Sequence, residues 1–182
     1  MSEKVILKKT DIDRIILDTA AKIMEDVRNL DDLAIVGVQT RGVELANRLK
    51  AELEKVSGKS LSSGILDITF YRDDLATRGV LPVIKETRIE FNITGKIILL
   101  VDDVIFTGRT TKAAIETLMS FGRPRAIRLF ALIDRGSREL PIQPDYLGYK
   151  TETGVRDKVR VRLQETDGIE DAVYLNNQAE AG

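Results

Sequence analysis

The chain contains neither cysteine nor histidine. That double absence excludes zinc sites built on those ligands, thiol nucleophiles, disulfides and serine–histidine triads. Catalysis in such a chain must draw on carboxylates, Arg, Lys, Tyr, hydroxyls, backbone amides or a hard metal ion. A charge excess is missing too, because 28 Lys and Arg stand against 29 Asp and Glu, a net −1. No broad basic surface follows, so any nucleic-acid contact must come from a local patch. No apolar run reaches the ~18 residues of a membrane span. The opening MSEKVILKK has only a short apolar run, unlike a signal peptide. These absences describe a cytoplasmic protein, in which the sequon at Asn92 is a chance triplet.

What is present is an ordinary globular composition, with 43% hydrophobic and 31% charged residues over 182 positions, enough for one domain with a substantial core. Thr10 followed by Asp13 resembles a capping box, and Ile12, Ile15, Ile16, Ala20, Ile23 and Val27 then recur at helical spacing through about Arg28. LAIVGV (33–38) is a buried-strand run, and TRG turns it into a second helix whose inner face is Leu45, Leu49 and Leu53. GILDITFY (64–71) reads as a strand. RDDLATRGVLPVIKET (72–87) mixes charges with Gly79 and Pro82 and has no clean period. RIEFNI (88–93) alternates as a strand, and IILLV (97–101) is a second buried run. Helix 110–121 follows, with Ala114, Leu118 and Phe121 on one face, and FGRP stops it. AIRLFALI (126–133) is a further strand, followed by a polar loop and a β-like tail in which KVRVRLQ alternates. The sequence predicts one domain over residues 1–176 and a disordered end at 177–182. This alternation implies an α/β fold: a mostly parallel central sheet with helices on both faces. Ligands of such sheets sit beyond the carboxyl ends of the strands, so the loops after Val38, Val101 and Ile133 are expected to converge on one crevice.

The stretch VDDVIFTGRTT (101–111) carries the most chemistry. Two adjacent carboxylates at a strand end suit a ligand with paired hydroxyls, such as a ribose, or Mg2+ held directly or through water. The turn TGRTT offers successive amides, three hydroxyls and a helix N-terminus, which together suit an anion. Gly108 permits close approach of a phosphate to the backbone. A diol and a phosphate one turn apart describe a ribose 5-phosphate. The bland alternative is a plain strand-to-helix turn with Thr110 as N-cap and two solvated acids. SGKS (57–60) imitates a phosphate loop, but Leu53 stands where that motif needs Gly, and a helix precedes it in place of a strand.

ILLVDDVIFTGRTT resembles the motif with which type I phosphoribosyltransferases bind phosphoribosyl pyrophosphate (PRPP). VGVQTRGVELANRL, LDITFYRDDL, GRPRAIRLFALIDRGSRELPI and DYLGYK are similar, more specifically, to the PyrR family, pyrimidine-operon attenuators that are also uracil phosphoribosyltransferases. The likeness runs from about residue 10 to 170. It implies transfer of ribose 5-phosphate from PRPP to uracil, giving UMP and pyrophosphate, with Mg2+ carried by PRPP. It also implies a small β hood from the C-terminal segment, a homodimer or higher homo-oligomer, and an mRNA leader as partner. By that resemblance Asp102 and Asp103 hold the ribose hydroxyls and the Mg2+ shell. Val104, Ile105 and Phe106 line the nucleotide, and Thr107, Gly108, Arg109, Thr110 and Thr111 cradle its 5-phosphate. Thr40 and Arg41 belong to a loop that binds pyrophosphate, often with a non-proline cis peptide; with the two acids, Arg41 is the expected catalytic group. Residues 72–87 correspond to a mobile loop whose Arg72, Arg78, Lys85 and Arg88 meet the departing pyrophosphate. Arg135 is placed near the nucleotide and Val159 where the hood meets the base. Arg14, Lys22, Arg28 and Arg138 are placed on the RNA face. Two departures stand out: the family's DRGHREL reads DRGSREL, with Ser137, and Lys22 occupies the place of a second family His.

Three other readings remain open on the sequence. One is a non-catalytic, nucleotide-sensing RNA-binding regulator on the same fold. Another is a phosphoribosyltransferase for a different nucleobase, purines included. A phospho-accepting signalling domain also ends strands with paired acids, but it leaves TGRTT and the later loops unexplained.

Overall fold

The computed structural model describes residues 2–68, 87–154 and 157–177. Five strands form one parallel sheet: β2 (Leu33–Val38), β3 (Ser62–Leu66), β4 (Ile97–Ile105), β5 (Ala126–Asp134) and β6 (Tyr146–Lys150), in the order β3-β2-β4-β5-β6. Both faces of this sheet are covered, which is why its central strands read as continuous apolar runs. Alternate residues of β2 serve opposite cores. Leu33 and Ile35 pack with Leu45, Leu49 and Leu53 of α2 (Arg41–Ser57) and with Ile12, Ile16 and Ile23 of α1 (Lys9–Asp26). Ala34, Val36 and Val38 pack with Ala114 and Leu118 of α3 (Arg109–Met119).

The order of strands sets the position of the crevice. The crossover from β2 through α2 runs outward to β3, whereas that from β4 through α3 runs the opposite way to β5. Right-handed crossovers in opposite directions put their helices on opposite faces, and a crevice opens between the carboxyl ends of β2 and β4. Gly42 makes this gap narrow: a Cβ there would lie 2.5 Å from the Val101 carbonyl. Only glycine lets the start of α2 press on β4.

A second sheet is antiparallel, in the order β1-β8-β7, from β1 (Ser2–Lys8), β7 (Lys158–Arg162) and β8 (Ala172–Asn177). A four-residue helix, α4 (Gln164–Asp167), links β7 to β8. The expected hood is therefore built from both chain ends, and β1 is a strand that the short apolar run VIL did not announce. Its pairing extends to Ser2 opposite Asn177.

Several expected boundaries move. Helix α1 begins at Lys9, not after Thr10, because the Lys8 amide is taken by the Asp11 carboxylate at 2.9 Å. RIEFNI forms no strand; it contributes one antiparallel bridge, Arg88 to Ile65, and buries Ile93 beneath α3. Gly58 of the SGKS decoy is the C-cap of α2, its amide bonded to the Glu54 carbonyl at 2.8 Å. Among the described residues no helix is long and apolar enough to cross a membrane.

Candidate functional site

Strand β4 runs four residues past Val101, so the acid pair lies within the strand and not in the loop after it. Asp102 is 4% exposed, and one of its oxygens accepts the Asp103 amide at 2.9 Å. Asp103 is half-buried. Phe106, Thr107 and Gly108 then turn the chain into α3. Gly108, not Thr110, is the N-cap, with φ +91°, a left-handed conformation that favours glycine. No side chain caps this helix, so the first-turn amides keep the anion-attracting character of a helix N-terminus. Thr107 Oγ1 accepts the Arg109 amide at 3.2 Å. Thr107 and Thr111 are buried and Thr110 is half-buried. The Arg109 side chain turns outward to Glu139 at 2.6 Å. Val104 is half-buried and Ile105 is buried in the α3-side core.

The stretch 134–140 braces this turn. Amides of Glu139 and Leu140 both donate to the Thr107 carbonyl, at 2.9 and 3.1 Å. The Arg138 guanidinium donates to Asp134 Oδ2 (2.8 Å), the Phe106 carbonyl (2.7 Å) and the Ile142 carbonyl (2.8 Å). Its side chain is only 12% exposed. Arg138, expected on an RNA face, thus commits its guanidinium to the Phe106–Gly108 turn and the loop after β5. Arg135 lies over the Phe106 ring, 4.1 Å from its centroid. It also bonds Thr153 Oγ1 at 3.1 Å and the Asp157 carbonyl at 2.6 Å. Burial pulls the pKa of this guanidinium downward from its ordinary value. The Arg135–Phe106 contact joins the turn after β4 to the loop that leads into β7, where half-buried Val159 packs toward the main core.

On the other side of the crevice the Gln39–Thr40 peptide is cis. Thr40 N-caps α2 without a side-chain bond. The Arg41 guanidinium is held by Asp167 of α4, Nη2 to Oδ1 at 2.6 Å and Nε to Oδ2 at 3.1 Å. The Arg41 hydrogen bond, aided by the Leu163 amide, holds the Asp167 carboxyl below its ordinary range. Two turns further along α2, Arg48 grips Glu165 through two nitrogens, at 2.9 and 2.7 Å, and Asp171 at 2.5 Å. These partners came from no motif: QETDGIED looks like a solvated acidic run, and only three-dimensional proximity assigns its charges to α2.

Arg88 is exposed on the edge of β3 and lies 3.9 Å from Glu90. The Asp67 amide meets Thr87 Oγ1 at 3.0 Å, so the two flanks of the intervening segment stand together. Arg72, Arg78 and Lys85 fall outside the described residues. Arg14, Lys22 and Arg28 are exposed on and just after α1, with Asp18 and Glu25 also exposed on that helix. Ser137 is exposed at φ +52°. The structure therefore brings Thr40, Arg41, Asp102, Asp103 and 106–111 to one crevice, braced by Arg135 and Arg138. The α1 cations lie on and just after α1, and Arg88 pairs with Ile65 near the carboxyl end of β3.

Comparison with known proteins agrees with this geometry. Residues 4–165 match the phosphoribosyl transferase domain model. The chain is 48% identical over 170 residues to the bifunctional protein PyrR of Pelotomaculum thermopropionicum, covering 93% of this chain and 94% of that one. It is 49% identical over 164 residues to the bifunctional protein PyrR of Acetivibrio thermocellus, covering 90% and 89%. A crystal structure of a hypoxanthine phosphoribosyltransferase from Staphylococcus aureus superposes with a TM-score of 0.69 at 22% identity, over 93% of this chain and 90% of that one. At that identity the superposition speaks for the fold alone.

Proposed function

The chain belongs to the PyrR family of phosphoribosyltransferases, and from that premise we propose that it transfers ribose 5-phosphate from PRPP to uracil, releasing UMP and pyrophosphate. The observation that carries this reading is the convergence at the strand switch point. Gly42 presses the Thr40–Arg41 turn against β4 at Val101, beside the acid pair and the Gly108-capped helix. Asp102 and Asp103 accept the ribose hydroxyls. The amides and hydroxyls of 107–111 take the 5-phosphate, and the 39–41 turn takes the pyrophosphate. The Arg135–Phe106 stack and Val159 border the base. The reaction needs a leaving pyrophosphate stabilised and a weak nucleophile held in place, so a chain without His or Cys is adequate.

Among the described residues no cluster of three or more acids forms a resident metal site. Two hard carboxylates at a strand end do fit Mg2+ that arrives with the substrate's own phosphate oxygens. When bound, it neutralises charge on the pyrophosphate as that group leaves. The working form is a cytoplasmic homodimer or larger homo-oligomer, as the resemblance implies.

Assay of the chain with PRPP and each nucleobase, with and without Mg2+, tests the assignment; uracil-dependent, Mg2+-dependent release of pyrophosphate is expected. Asp102→Asn and Asp103→Asn should each lower kcat/KM for PRPP by about ten- to a hundredfold, as expected for loss of a charged hydrogen bond worth roughly 1.5–3 kcal/mol. Unchanged kinetics in both variants would remove the ribose assignment.

The second activity that the relatives' bifunctional name suggests is binding of an mRNA leader in response to UMP. Here the chain departs from its family. Ser137 offers no ring to stack on a base, Lys22 offers charge alone, and Arg138 faces inward. Stacking on an aromatic contributes about 1–3 kcal/mol per base. RNA control is therefore weakened or retuned, with a salt-dependent contribution from Arg14, Lys22 and Arg28. Filter binding to a family attenuator RNA at physiological salt reads this directly. Nanomolar, UMP-enhanced affinity would contradict it.

A further inference from the structure

Arg41 and Asp167 are 126 residues apart in sequence and meet in a two-pronged ion pair. The carboxylate is itself fixed, because its Oδ2 also accepts the Leu163 amide at 2.9 Å. The Arg41 hydrogen bond also holds its carboxyl below the ordinary Asp range. A guanidinium has five N–H donors in a rigid fork. Asp167 occupies Nε and one proton of Nη2, and among the described residues Nη1 has no partner. The side chain is 30% exposed, which leaves that edge of the fork open to a second anion. A long, rotamer-rich side chain has thus been fixed before any substrate arrives, and prior fixation is what lowers the cost of binding. The element that fixes it is α4, which follows directly on β7 and hence on Val159 at the base.

We propose that Asp167 is a positioning residue for PRPP: it holds Arg41 by the Nε/Nη2 edge so that Nη1 meets the pyrophosphate, and it ties the hood to the pyrophosphate turn. The inference rests on the reading of residues 39–41 as the pyrophosphate loop. A strut that merely fastened the hood would give a different result, since its loss would lower the melting temperature and leave PRPP recognition intact.

The test is steady-state kinetics and calorimetric PRPP–Mg2+ binding for Asp167→Asn, Asp167→Glu, Arg41→Ala and the Asp167→Asn/Arg41→Ala double variant, each with its thermal midpoint. For Asp167→Asn, KM and Kd for PRPP should rise about tenfold, as for loss of one charged hydrogen bond, while kcat and KM for uracil stay within about twofold. Asp167→Glu should recover most of the loss. In the Arg41→Ala background Asp167→Asn should add nothing, because the two side chains act as one unit. Normal PRPP affinity in Asp167→Asn, or a full loss that persists without Arg41, would overturn the proposal. A parent chain that binds PRPP but ignores uracil would overturn the nucleobase assignment alone, and one that binds no PRPP would overturn both.

Discussion

The phosphate cradle and the hood are held by different forces. The cradle is a piece of parallel sheet: β4 lies between two buried strands, its acids belong to the strand, and its turn is pinned by amides and by Arg138. The hood shares the main core through Leu7, Val161, Leu163 and Val173, and it is lashed to α2 by charge besides, with Arg48 on Glu165 and Asp171 and Arg41 on Asp167. Backbone ladders and close packing respond little to pH or salt, whereas ion pairs respond to both. The difference sets a rigid half, which carries the acid pair and the Gly108 turn, against a half whose attachment to α2 depends on conditions.

Breaking the lashing is the strongest way to probe that contrast. Arg48→Ala leaves Asp171, whose side chain is 2% exposed, without its cation, and removing one partner of a buried pair costs roughly 3 kcal/mol. Hydrogen exchange should accelerate in β7 and β8 well before it does in β4 and β5; uniform acceleration would dissolve the distinction. Gly42→Ala attacks the rigid half instead. Its methyl group would meet the Val101 carbonyl at 2.5 Å, and overpacking of this kind costs about 1–3 kcal/mol. For a chain of this length that is a fall of about 2–12 °C in Tm, accompanied by a higher KM for PRPP.

Acid should produce the smallest effect and the most selective one. The Arg48 hydrogen bond holds Glu165 below its ordinary 4.5, and the Arg41 bond holds Asp167 below 3.8. Burial pushes Asp171 up, but Arg48 and the Gln164 amide more than offset this, leaving it below 3.8 as well. Carboxyls lowered in the folded state contribute stability that is complete above their ordinary values and is lost as pH falls through the lowered ones. Exchange in β7 and β8 measured from pH 6 down to pH 3 should therefore rise below about pH 4.5, before the main sheet responds. Equal loss in both sheets would count against a charge-held hood.

The same division explains what could be read from the sequence. Strands β2, β4 and β5 and the helices after them were visible because burial on both faces writes long apolar runs, and helix faces repeat at 3.6 residues. The cradle was visible because its acids, glycine and hydroxyls are contiguous. The exact end of β4 was not, since Asp102 and Asp103 look like a loop until the strand is seen to continue to Ile105. Strand β1 was hidden because its partner lies at the far end of the chain, and no local period reports such a pairing. The inward bonds of Arg138 are hidden for a related reason: an exposed-looking DRGSREL conceals a loop that turns its second arginine toward the Phe106 carbonyl. RIEFNI alternated like a strand, yet only Arg88 met the edge of β3.

The pairing of Ser2 with Asn177 and Lys8 with Ala172 also has a consequence in time. During synthesis β1 leaves the ribosome well before β8, which must sit between it and β7. The parallel sheet, its crossovers and the acid-bearing strand can condense while that first strand still waits, because their contacts span shorter stretches of chain. Only when elongation has delivered residues 172–177 can the cover over the base close. A nascent chain thus completes its acid-bearing sheet and the Gly108 turn before it completes the antiparallel sheet that packs against them.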